Sequence, residues 1–139
     1  MRDGTLPLTH SWRSSRKMPK QLFLSLTLSL LASMSHAAGD VAAGKRVFAK
    51  CSNCHQVGHS ARGNFGPQLN GLLGRNAGST KDYKYSAAMR ASRIVWTEAN
   101  LRAFIKSPDA VVPGNKMRFF GISDEKQVTD LLAYLQTFK

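Results

Sequence analysis

Cys51-Ser52-Asn53-Cys54-His55 sets two thiols three residues apart with an imidazole directly after the second, and the chain of 139 residues has no other cysteine. Thiols one helical turn apart can each bond a vinyl carbon of haem, and the next side chain then falls beneath the iron. That spacing is the attachment signature of c-type haem. Cys51 and Cys54 are thus the candidate thioether anchors, and His55 is a candidate axial ligand. Parts of the pattern serve other chemistries. A thioredoxin-like pair needs a strand-helix context, which this chain does not show. Structural zinc needs four ligands, and Cys51, Cys54, His55 and His59 could supply them only with strained adjacency. A disulfide between the two cysteines would staple almost nothing.

A low-spin electron carrier needs a second axial ligand, for which Met89, Met117 and His59 are available. His59 lies four residues from His55 and cannot readily reach the opposite face of a porphyrin. Met89 sits in a weak helical stretch and has an ordinary role as core packing. Met117 follows Val112-Pro113-Gly114-Asn115-Lys116, where proline and glycine set a turn ahead of the sulfur. A soft thioether presented this way is a suitable iron ligand, and Met117 is assigned to it.

Three helices must position these groups. Asp40 can cap one running from Val41 into Cys51, with Gly44, Val47, Phe48 and Cys51 on one face. Gly44 costs about 1 kcal/mol relative to alanine, which a close helix crossing would explain. Thr97 can cap a second, striped with Leu101, Phe104 and Ile105 and ended near Ser107 by Pro108. The third starts around Ser123 with Asp124 and Glu125 in its first turn, where acidic groups suit the helix dipole. It buries Val128, Leu131, Leu132 and Leu135, with Tyr134 and Phe138 beside them. A short helix fits Ser86 to Ala91. Between Gln56 and Tyr85 the glycines at 58, 63, 66, 71, 74 and 78, with Pro67, indicate a loop. So long a loop in one domain makes sense if it wraps a flat cofactor that supplies the missing core.

The first 37 residues read as an export signal. Leu22 to Leu31 is apolar, Lys17 and Lys20 precede it, and small residues end in Ser35-His36-Ala37. The run falls short of the ~20 residues of a membrane-spanning helix. Cleavage after Ala37 would leave a domain at 38–139, and a start at Met18 would give a more ordinary signal. Residues 1–37 hold five basic side chains and one acidic, so +8 of the formal +12 falls on the rest. In an exported protein that charge points to acidic redox partners or transient contact with an anionic membrane face, not to nucleic acid.

The chain resembles the class I cytochromes c, in the branch of mitochondrial cytochrome c and its close bacterial relatives. The resemblance rests on the Cys51–His55 signature with Gly39-Asp40-Val41, Gly66-Pro67-Gln68-Leu69-Asn70-Gly71-Leu72-Leu73-Gly74-Arg75 and Tyr83-Lys84-Tyr85-Ser86. Ile94-Val95-Trp96, Pro113 to Met117, Gly121-Ile122 and Leu131 to Leu135 complete it. It implies an all-α cytochrome c fold: three main helices, a short one and long loops around one covalent haem c, with the terminal helices crossing. It implies that His55 and Met117 ligate iron and that the Pro67 carbonyl accepts the His55 Nδ1 hydrogen bond. Arg75, Tyr85 and Trp96 would bind the buried propionate, which is costly to bury without donors. Asn115 would line the haem pocket, and Phe119 would stand beside the exposed haem edge. Gly44 and Phe48 would meet Leu131 and Tyr134.

The function implied is a monomeric periplasmic electron carrier, not an enzyme, shuttling between respiratory or photosynthetic complexes or dehydrogenases. The rivals are a haem peroxidase or gas sensor with a labile methionine, and a cytochrome subunit of a dehydrogenase. The chain departs from the mitochondrial pattern in places. Phe104 replaces a tyrosine that bonds the methionine sulfur, and Met89 replaces an asparagine that orders an internal water. Lys45, Lys50 and Lys116 remain of the lysine ring, but Asp109, Ala110, Ser123 and Asp124 occupy usually basic positions. Docking should therefore depend less on salt than the net charge suggests.

Overall fold

The computed structural model describes residues 38–139; the export-signal reading of 1–37 lies outside the described residues. Among the described residues five helices follow in order: α1 (Val41–Phe48), α2 (Ala87–Ala91), α3 (Glu98–Lys106), α4 (Pro108–Val111) and α5 (Glu125–Leu135). Among the described residues there is no strand, only an isolated bridge between Asn76 and Val95. No described helix is long and apolar enough to cross a membrane.

Side-chain caps start four of the helices. Asp40 accepts from the Ala42 and Ala43 amides, Ser86 from Met89, Thr97 from Asn100 and Asp124 from Gln127. Each cap satisfies donors that the first turn leaves free. Two boundaries differ from the sequence reading, and one short helix is added to it. α1 stops at Phe48 rather than running into Cys51, because Ala49 and Lys50 donate to residues three back. The chain then continues in these tighter turns. α5 begins one residue after Asp124, which is its cap and not part of its first turn. Pro108 ends α3 and also opens α4, because proline has no N–H to lose at a first helical position.

α1 packs chiefly on α5. Gly44 makes the crossing close: a Cβ there would meet the Asp130 carbonyl and approach Tyr134 Cβ to 2.7 Å. Phe48 and Tyr134 meet as a tilted pair at 5.5 Å, and Tyr134 meets Phe138 edge-on at 5.0 Å. Leu131 and Leu132 at the centre of α5 are each 1% exposed. Asp130 ties the ends together, its carboxylate accepting from the Asp40 amide at 2.8 Å and from Lys126 at 2.7 Å. The long loop carries its own hydrogen bonds. Asn70 exchanges two with Gly58, Leu69 donates to Gln56, and Gly63 donates to Asp82. Its far end is held where Trp96 donates to the Arg75 carbonyl and Ala77 to that of Ile94.

Candidate functional site

The tight turns after α1 present the signature residues in one bend. The Cys54 and His55 amides both donate to the Cys51 carbonyl, at 3.0 and 2.9 Å. One thiol is thereby half-buried and the other exposed. Burial pushes the Cys51 thiol up to about 11, with Lys50 opposing. His55 lies one turn along. Its Nδ1 is 2.8 Å from the Pro67 carbonyl. A carbonyl can only accept, so Nδ1 carries the proton and Nε2 keeps its lone pair. Burial lowers the imidazole below its ordinary value, partly offset by this hydrogen bond, and the ring is held neutral.

Gly66 completes this wall. A Cβ on it would stand 2.5 Å from His55 Cε1 and 2.8 Å from Nδ1. Only a glycine lets the loop lie flat against the ring while the next residue offers its carbonyl. The sequence reading used Gly66 as a marker and missed this contact, although its place just before Pro67 was the available signal.

The motif residues open on a cleft of about 360 Å³ whose lining contains every residue assigned from the sequence to haem attachment, iron ligation or the haem pocket. Cys51, Cys54, His55 and Pro67 form one part of its wall; Asn115, Met117 and Phe119 come from the loop after α4; Arg75, Tyr85 and Trp96 come from the middle of the chain. Apolar Leu72, Met89, Leu101, Phe104, Leu131 and Leu135 fill in between. Trp96 packs on Phe104 at 5.0 Å. Arg75 donates to the Asn70 and Gln68 carbonyls, and Tyr85 pairs with Thr80 at 2.8 Å. His59 is exposed and does not line this cleft. A second, open depression beside Gly78, Lys81 and Arg90 contains no cysteine, histidine or methionine. Among the described residues no group of three His, Cys, Asp or Glu side chains is placed to hold a metal ion.

The Met117 loop is built as its sequence indicates. Asn115 donates to the Val112 carbonyl at 3.1 Å across Pro113-Gly114, and Gly114 has φ +80°. This is a type II turn, which needs glycine at its third position. The donor set of the cleft is one neutral imidazole, the thioethers of Met89 and Met117 and two thiols on an apolar wall, with the guanidiniums of Arg75 and Arg118 among its lining. Such a set fits a haem: covalent anchors, a nitrogen donor and a soft sulfur donor, and a cation for a carboxylate.

The family model for cytochrome c matches residues 41–139. Cytochrome c-550 of Nitrobacter winogradskyi is 49% identical over 100 residues, covering 72% of this chain and 92% of that protein. Cytochrome c2 of Blastochloris viridis is 46% identical over 110 residues, covering 78% and 87%. The solved structure of cytochrome cH from Methylobacterium extorquens superposes with a TM-score of 0.67 at 42% identity, covering 71% of this chain and 99% of that one. The chain belongs to the cytochrome c family. It has the cytochrome c fold and is a c-type cytochrome, an electron carrier rather than an enzyme, with covalently attached haem c as cofactor.

Proposed function

We propose that this protein is a soluble one-electron carrier of the bacterial periplasm, with haem anchored by Cys51 and Cys54 and ligated by His55 and Met117. When bound, the haem supplies a one-electron ferric/ferrous couple; the side chains around it set where that couple rests and who can reach it. The observation that carries the reading is the His55 Nδ1 contact with the Pro67 carbonyl, which leaves Nε2 as the donor atom on a cleft that Met117 also lines.

Each residue then has a separate task. Pro67 fixes the imidazole tautomer and raises its donor strength. Met117 would supply the second protein ligand to the iron and so exclude small ligands. A neutral imidazole and a soft thioether favour the reduced state. Phe104 and Met89 keep water from this side, since both are buried and line the cleft. Arg75, Tyr85 and Trp96 offer donors to a propionate. At the cleft mouth, Lys50, Lys116 and Arg118 stand beside Phe65 and Phe119. A redox partner with an apolar contact and a thin acidic rim suits that face. Residues 1–37 act as the cleaved export signal ahead of a 38–139 domain.

The test is the spectrum of the purified ferric protein. Wild type should be low-spin with a weak sulfur-to-iron band, and Met117→Ala should lose the band while haem stays bound after denaturation. Haem that extracts from denatured wild type, or a wild type without the band, would refute the assignment.

A further inference from the structure

We propose that Asp109 is a positioning residue for the Met117 ligand and acts through Asn115, an assignment that rests on Met117 being the iron ligand. Asn115 is 7% exposed, and both ends of its amide are used. Its Nδ2 donates to Asp109 Oδ1 at 2.8 Å and to the Val112 carbonyl at 2.9 Å. Its Oδ1 accepts from the Met117 backbone amide at 2.7 Å.

The two ends of an asparagine amide have nearly the same shape, so partners decide which way it faces. A carboxylate only accepts and therefore holds the NH₂ end. With that end committed to α4, the carbonyl end must face the Met117 N–H. Asp109 thereby fixes the residue that bears the sulfur, from a helix that Pro108 roots in the protein interior. The Val112 carbonyl, at the C-cap of α4, holds the same NH₂ group, but as a neutral acceptor. The Asp109 contact is the charge-assisted one of the two, and such bonds are the stronger kind. At a position read from the sequence only as a thinning of the basic ring, the acidic side chain has a structural duty on the iron side.

The experiment is displacement of Met117 by imidazole in the ferric holoprotein, followed by stopped flow through loss of the sulfur-to-iron band. Asp109→Ala should exchange about tenfold faster, the scale expected for losing a partly exposed hydrogen bond to a charged group. Asp109→Asn should stay nearer wild type, because its amide oxygen still accepts from Asn115. Glu98→Gln removes a negative charge from α3 and should leave the rate unchanged. An unchanged rate in Asp109→Ala overturns the proposal, as does an Asp109→Asn rate equal to that of Asp109→Ala. A fall in global stability large enough to account for the faster exchange also overturns it, since the residue would then be merely structural. A wild type lacking the band is a different failure, that of the Met117 ligation itself.

Discussion

Replacing Gly44 with alanine should destabilise this protein although the same change stabilises most helices. At an ordinary helical position, alanine gains about 1 kcal/mol over glycine. Here the added methyl meets the backbone carbonyl of Asp130 and lies 2.7 Å from Tyr134 Cβ. Carbon atoms rest at roughly 3.5–4.0 Å and the carbonyl lies closer still, so α1 and α5 must part by at least about 1 Å. A gap of that size forfeits up to about half of each contact across the interface. The contacts at stake are those of Val47, Phe48, Leu131 and Leu135. Overpacking of a core costs about 1–3 kcal/mol, and more when the obstacle is backbone. Setting about 3 kcal/mol against the gain of 1 leaves a net loss of about 2 kcal/mol. For a domain of this size that lowers Tm by roughly 8–16 °C. Thermal unfolding of the ferric holoprotein, followed by far-ultraviolet circular dichroism, measures it. Ala42→Gly, at an exposed position of α1, calibrates the propensity scale and should cost about 1 kcal/mol. A Gly44→Ala protein as stable as wild type, or more so, would refute the close-crossing argument.

Other perturbations have defined signs. Lys126, and after it the Asp40 amide, hold the Asp130 carboxyl below the usual carboxylate range. Its contribution is therefore present above the unfolded-state pKa of about 4 and lost as pH falls through the lower folded-state value. Asp130→Asn should flatten the acid limb of a stability-against-pH profile, and an unaltered limb would count against the anchor. Arg93 has φ +54°, a conformation that costs an L-residue about 1–2 kcal/mol. Arg93→Gly should raise stability in denaturant titration by about 0.5 kcal/mol after the entropy of glycine is charged against it; destabilisation would mean that the arginine side chain holds something there. Phe104→Tyr adds a hydroxyl to the apolar wall packed on Trp96. It should move the midpoint potential or the alkaline transition, and no movement in either would end the claim that Phe104 dries the methionine side.

How much of this was legible depended on whether the information was local. Asp40, Ser86 and Thr97 announce their helices because a capping side chain acts within three residues of itself. Pro113-Gly114 announces its turn for the same reason. The cleft lining was legible through the family resemblance, which carries three-dimensional knowledge that periodicity does not. α4 was hidden because a proline that stops one helix also starts the next, and a four-residue segment has no period to read. The end of α1 was hidden because a switch to tighter turns needs no special residue. Gly66 against His55 and Asp109 against Asn115 were hidden for another reason. Each depends on two segments meeting in space, and neither pair of residue types predicts the meeting.

The central claim is that both axial positions are closed by side chains of this chain, so the bound iron passes electrons and takes no ligand. Mixing the reduced holoprotein with carbon monoxide at neutral pH tests it most directly. Wild type should keep an unchanged ferrous spectrum, and Met117→Ala should bind carbon monoxide rapidly. Rapid binding by wild type would contradict it.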